Sequence, residues 1–180
     1  LSTPTRTTVV FPSTTWTIEA VGGLTSISIP GIVSLNGSLT IKDNANLTSI
    51  DLDEVTTAGG NRILLIQGNP LLTSFSMDSL LIIGDDYTVD FTTNASLSSL
   101  SLPITTINDS ATLNIFDCPI STSTLVSGLT SIQSFATISI GIIAATSLNI
   151  SALTSVGSDS FFGVSESPLL TSITLSNSLV

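Results

Sequence analysis

The fold class the sequence predicts is all-β: a right-handed parallel solenoid of about 24 residues per coil. Three observations predict it. A six-residue phrase recurs along the chain, a second motif recurs between its copies, and both carry period-two apolar alternation with no long helical stripe.

The phrase is seen in Leu24-Thr25-Ser26-Ile27-Ser28-Ile29 and again in Leu47 to Leu52, Leu72 to Met77, Leu97 to Leu102, Ala145 to Ile150 and Leu170 to Leu175. A degraded copy, Ile120-Ser121-Thr122-Ser123-Thr124-Leu125, lies between the fourth and the last two. The starts at 24, 47, 72, 97, 120, 145 and 170 are separated by 23 or 25 residues, which is solenoid spacing. The first, fourth and sixth positions are expected inward, each large side chain contributing roughly 1.5–3 kcal/mol on burial.

The second motif is an apolar pair two residues apart, followed three residues on by a special position. Leu39 and Ile41 lead to Asn44, Leu64 and Ile66 to Asn69, Val89 and Phe91 to Asn94, and Leu113 and Ile115 to Cys118. In the later units that position is Ile143 and then Ser167. Asn44, Asn69 and Asn94 are expected to form an internal ladder whose amides serve backbone groups at a bend, with Cys118 as a small buried residue in the same register. Each unit therefore reads as two short strands stacked at about 4.8 Å. Ile32, Leu35, Val55, Leu80, Ile83, Leu153 and Val156 supply a third inward contact, and Gly59-Gly60, Gly84 and Gly157 help the chain turn.

Residues 1–20 read as a Ser/Thr/Pro-rich segment and 21–180 as the solenoid. The first segment is either an O-glycosylated linker or, as we favour, a cap in which Val9, Val10, Phe11 and Trp16 cover the first coil. At the other end, Leu170, Ile173 and Leu175 form an apolar edge on a half-built coil. That edge fits either a longer array or head-to-tail contact between copies, which yields filaments.

The repeats resemble the receptor L domain type of leucine-rich repeat, whose pattern Leu-x-Ile-x-x-Asn-Pro-x-Leu-x-x-Leu-x-Leu is matched by Leu64 to Met77. In particular they resemble the GPI-anchored fungal cell-wall proteins built of such repeats. The stretch from Ser155 to Leu175 is also similar to surface leucine-rich repeats of bacteria and protists. The resemblance implies an extracellular, non-catalytic structural or adhesive role, with wall polysaccharide or further copies of the chain as partners.

Composition narrows the chemistry. With no histidine and one cysteine in 180 residues, His-based catalysis, Cys/His zinc sites and an internal disulfide are excluded. No cofactor is expected. Three basic residues (Arg6, Lys42, Arg62) against thirteen acidic ones, a net charge of −10, have the wrong sign for nucleic acid. No apolar run suffices for membrane insertion. Ser and Thr number 31 and 27, so the surface is hydroxylic rather than ionic.

Parallel β-solenoids also carry polysaccharide lyases, so Asp51, Asp53, Glu54, Asp85 and Asp86 need weighing. A lyase needs a Lys or Arg base beside metal-binding Asp, and Lys42 and Arg62 lie in a different half of the unit from the Asp51 group. The acidic residues read as solvated turns, and no enzyme is expected. Two hydroxyl registers, Thr25-Thr48-Thr73 and Ser26-Ser49-Ser74 with their equivalents, raise ice or crystalline-polysaccharide matching. Their place at a bend favours a turn-forming role. The outward positions Ser28, Asp51, Ser76, Ser101, Thr124, Asn149 and Thr174 include no aromatic or Arg anchor for a tight protein partner. A ligand- or glycan-binding ectodomain is the alternative role.

Sequons occur at Asn36, Asn46, Asn94, Asn108 and Asn149. In a eukaryotic source, Asn36, Asn46, Asn108 and Asn149 are expected to be able to carry glycan. Asn94, in the ladder register, is not.

Overall fold

The structure is a computed structural model that describes residues 9–11, 14–121, 125–141 and 143–177. Short apolar-polar alternations form strands, and each coil brings the same alternation onto the strand below it. The chain begins with β1 (Val9–Phe11), β2 (Thr15–Glu19) and β3 (Ser26–Ser28). The next coil is β4 (Ile32–Leu35), β5 (Ser38–Lys42) and β6 (Ser49–Asp51). It is followed by β7 (Thr57–Ala58), β8 (Ile63–Gln67) and β9 (Ser74–Ser76), then by β10 (Ile82–Ile83), β11 (Thr88–Thr92) and β12 (Ser99–Ser101). The fifth coil contributes β13 (Thr106–Ile107) and β14 (Thr112–Phe116). The last two are β15 (Ser131–Ile132), β16 (Thr137–Gly141) and β17 (Ser147–Ile150), then β18 (Ser155–Val156), β19 (Phe161–Ser165) and β20 (Ser172–Leu175).

These strands stack into an all-β parallel solenoid with three faces. The first sheet runs β1-β4-β7-β10-β13-β15-β18 and the second β2-β5-β8-β11-β14-β16-β19. The third face is split into β3-β6-β9-β12 and β17-β20. Among the described residues every coil but the fifth thus has three strands where the sequence suggested two. Five of the overlooked strands, Thr57–Ala58 and its equivalents in the later coils, are two residues long, too short for alternation to announce them. The ladder also begins earlier than residue 21: β1 pairs with β4 and β2 with β5.

The core is the stack of inward positions. Leu39, Leu64, Val89, Leu113 and Ile138 pair in one column, and Ile41, Ile66, Phe91, Ile115 and Ile140 in the next, all buried. Phe75 meets Phe91 edge to face across the interior, with centroids 4.8 Å apart. The first, fourth and sixth phrase positions are buried in the copies starting at 47, 72, 97 and 145. Of the third contacts, Ile32, Leu35, Val55, Leu80, Ile83 and Leu153 are buried. Val156 is not: β18 has a neighbour on one side only, and the side chain is 38% exposed.

The break in the third face falls on the degraded phrase. Residues 122–124 lie outside the described residues, and residues 125–128 form a turn rather than a strand. At the fourth position of that phrase the sequence has Ser123 where the other copies have a large apolar residue.

The glycines act differently from expectation. Gly60 has φ +78 and does supply a left-handed turn. Gly84 and Gly157 have ordinary φ and instead permit close stacking of corners: a Cβ would lie 2.9 Å from the Ala58 carbonyl oxygen at Gly84 and 2.4 Å from the Ser134 nitrogen at Gly157.

Candidate functional site

The most ordered polar feature is internal. Asn44, Asn69 and Asn94 are fully buried at the bend after the second sheet. The residues before them, Asp43, Gly68 and Thr93, all have left-handed φ, which turns the following amide inward. The Asn44 N–H donates to Asn69 Oδ1 (3.1 Å), and the Asn69 N–H to Asn94 Oδ1 (3.1 Å). The Nδ2 groups also climb the ladder, Asn44 to Asn69 and Asn69 to Asn94, each 3.2 Å. They also reach backbone carbonyls: Asn69 Nδ2 donates to Ile41 and Gln67, and Asn94 Nδ2 to Ile66 and Thr92. Each amide satisfies backbone groups that the flanking strands cannot.

Cys118 occupies the next rung, fully buried, its Sγ 3.8 Å from Asn94 Nδ2. Burial pushes the thiol pKa up. The column then weakens to Ile143, whose N–H donates to Ser167 Oγ at 3.4 Å.

Outside, the two hydroxyl registers differ from each other. Thr48 Oγ1 donates to the Thr25 carbonyl (2.9 Å), Thr73 Oγ1 to that of Thr48 (3.0 Å), and Thr171 Oγ1 to that of Thr146 (3.0 Å), so this column is a bend-forming ladder. The Ser column is not at a bend. Ser26, Ser49, Ser74 and Ser99 open strands and stand in register on the outer third face, as do Ser147 and Ser172. Among the described residues the hydroxyls of Ser26, Ser49, Ser74 and Ser99 make no hydrogen bond. They face outward at strand spacing, beside a second column of Ser28, Asp51, Ser76 and Ser101.

The structure adds a Thr column that the sequence reading missed. Thr56 Oγ1 donates to Val33 O, Thr105 to Leu81 O, Thr130 to Thr105 O and Thr154 to Thr130 O, at 3.0, 3.1, 3.0 and 3.2 Å. The signal was present as Thr105, Thr130 and Thr154 recurring at 25 and 24 residues. It was hidden because those strands are so short.

Among the described residues the acidic side chains form no cluster able to hold a metal ion. Asp51 Oδ1 accepts from its own turn at Asp53 N–H, Asp53 Oδ1 from Asp78 N–H, and Glu54 Oε2 from Gly31 N–H. Asp85 and Asp86 are exposed at a separate corner. Lys42 pairs with Glu19 at 3.0 Å, and that hydrogen bond raises its pKa. Arg62 is exposed and donates to the carbonyl of Asn61.

A cavity of about 260 Å³ lies at the break in the third face, lined by Leu100, Leu102, Pro103, Leu125 and Gly128 among others. No sequence motif pointed to it; it lies where the third face is split between β12 and β17.

The remaining candidates are dispersed. Asn36 and Asn46 are exposed, and Asn108 and Asn149 half-buried. Asn46 Nδ2 is engaged with the Gly22 carbonyl at 2.7 Å, which the sequence did not show. At the apolar edge Leu170 is half-buried against the core, while Ile173 and Leu175 are 44% and 60% exposed. Trp16 is 47% exposed and continues the inward column of Leu39; the side chains of Val9, Val10 and Phe11 lie outside the described residues. Among the described residues no helix is long and apolar enough to cross a membrane.

No protein-family model matches the chain, and neither a curated protein nor a solved structure is significantly similar to it.

Proposed function

We propose that this chain is a non-catalytic structural or adhesive protein of an extracellular wall, cell surface or fibre, its coils right-handed and of the receptor L domain leucine-rich-repeat type. The observation that supports this reading best is the column Ser26-Ser49-Ser74-Ser99, unengaged hydroxyls repeated at about 4.8 Å on one flat face. Such an array suits many weak contacts with a repetitive hydroxylic partner, a polysaccharide or a neighbouring copy, where multivalency supplies the affinity. The Thr columns contribute less, since their protons are already donated to the coil before.

Co-sedimentation with insoluble wall polysaccharides tests the reading. Binding should weaken stepwise as Ser26, Ser49, Ser74 and Ser99 are replaced in turn by Glu, and a wild-type protein that sediments with none of them loses the polysaccharide half of the proposal. The self-association half concerns Ile173 and Leu175, whose exposed side chains suit a further coil stacked in the same register. Sedimentation velocity should show concentration-dependent growth that Ile173→Glu abolishes; a monomer at high concentration overturns it.

The cavity beside Leu100 and Leu125 favours the second reading, a ligand- or glycan-binding ectodomain. Tight, selective binding of one short oligosaccharide on a glycan array, lost on Gly128→Leu, would replace the first reading with the second. Ice matching by the same Ser face is a third possibility, and lack of thermal hysteresis at millimolar protein removes it.

A further inference from the structure

We propose that Asn36 is a self-modifying site, at which the folded chain converts an exposed amide into an aspartyl or isoaspartyl residue without an enzyme. Asn36-Gly37 is the single Asn-Gly pair in the sequence, and it forms the short link 36–37 between β4 and β5. Gly37 has no Cβ to obstruct attack by its nitrogen. Gly37 is itself buried, and among the described residues its N–H donates no hydrogen bond. The electrophile is prepared as well: Ser34 Oγ donates to Asn36 Oδ1 at 2.9 Å, which withdraws electrons from the amide carbonyl and stabilises negative charge on that oxygen. The other Asn residues lack this combination, and Asn44, Asn69 and Asn94 are buried with their amides engaged.

The steps balance without a co-reactant other than water. Hydroxide removes the Gly37 amide proton, and the nitrogen attacks Asn36 Cγ. The Cγ–Nδ2 bond breaks, and ammonia leaves after taking a proton from solvent. The resulting five-membered imide is opened by water at either carbonyl, giving Asp from one and isoaspartate from the other. The change reaches the core because the Gly37 carbonyl accepts the hydroxyl of buried Tyr87 at 3.3 Å. An isoaspartyl link adds a backbone methylene to a short corner and draws that carbonyl off its partner. A glycan on Asn36 would consume the same nitrogen, so the two fates exclude each other.

The experiment uses unglycosylated full-length chain from a bacterial host, incubated folded in neutral and mildly alkaline buffer and followed by peptide mapping with mass spectrometry. Aspartyl and isoaspartyl products should accumulate at Asn36, several-fold faster at the alkaline pH and several-fold slower in Ser34→Ala and Gly37→Ala. Asn36→Gln should stay unmodified there, and the thermal midpoint of wild type should fall as conversion proceeds. Circular dichroism establishes that each variant folds, and Ser34→Ala serves alone if Gly37→Ala does not. Folded wild type that keeps Asn36 intact while the urea-unfolded chain converts it overturns the proposal, as does a folded Ser34→Ala variant converting at the wild-type rate.

Discussion

The phenolic hydroxyl of Tyr87 donates to the carbonyl of Gly37, 3.3 Å away and 50 residues earlier in the chain. Tyr87 is fully buried, and it reaches past the coil between them because that coil turns Arg62 outward. The space exists because the β4-to-β5 link is residues 36–37, against 59–62 in the next coil. One large side chain thus fills the interior of a corner two coils below it.

Tyr87→Phe should cost about 1–3 kcal/mol in urea unfolding, since it leaves a buried carbonyl without its donor. Tyr87→Ala should cost about 3–5 kcal/mol by adding a cavity. Burial raises the phenol pKa. A raised folded-state pKa means stability is level below the ordinary tyrosine value of about 10 and falls as pH climbs above it. Tyr87→Phe should remove that alkaline loss, which a pH series of unfolding midpoints would detect.

Asn69→Ala should be among the most damaging substitutions. Asn69 Oδ1 accepts from both nitrogens of Asn44, and its Nδ2 donates to Ile41, Gln67 and Asn94. With each abandoned buried group costing roughly 1–3 kcal/mol, a loss of at least about 3 kcal/mol is expected. Chemical denaturation that shifts by less than a third of this would show that water replaces the amide.

At Cys118 the expected change has the opposite sign. Cys118 Sγ stands 3.4 Å from the Phe116 carbonyl and 3.8 Å from that of Phe91, the carbonyls of the equivalent positions that Asn94 Nδ2 bonds one coil below. Cys118→Asn should extend the ladder and stabilise by about 0.5–1.5 kcal/mol. In the native protein the buried thiol should react slowly with alkylating reagents and quickly once unfolded, a contrast that mass spectrometry reads directly.

Gly157→Ala should destabilise by about 1–3 kcal/mol through overpacking alone, since its φ is ordinary and the obstacle is the Ser134 backbone at 2.4 Å. Gly128→Ala is the control, its nearest neighbour being the Ile104 carbonyl oxygen at 3.6 Å. Equal thermal midpoints for the two variants would contradict this account.

Glycopeptide mapping of protein from a eukaryotic host should find glycan among Asn36, Asn46, Asn108 and Asn149 and none on Asn94. The Asn94 amide donates to Ile66 and Thr92 inside the core, so occupancy there requires the coil to be open when the sugar is transferred.

The sequence by itself determined the stacked all-β architecture and most of the inward columns, because a solenoid repeats one environment and selection for it writes the same residue type every 23 to 25 positions. Leu39, Leu64 and Val89 announce one another; so do Asn44, Asn69 and Asn94. The degraded phrase from Ile120 to Leu125 was legible against its copies, but features that occur once were not, because a single position has no second copy to compare. Only the tertiary structure decided that, among the described residues, every coil but the fifth has a third strand, since two residues such as Thr57–Ala58 carry no period. It also decided that the Ser column lies on a flat outer face while the Thr column bonds to the coil before it, a distinction of backbone direction that identical hydroxyl chemistry conceals. The reach of Tyr87 to Gly37 and the cavity beside Leu100 and Leu125 are likewise tertiary. Both depend on how many residues each corner spends and on which side chain fills the room that is left, and a local pattern does not encode that room.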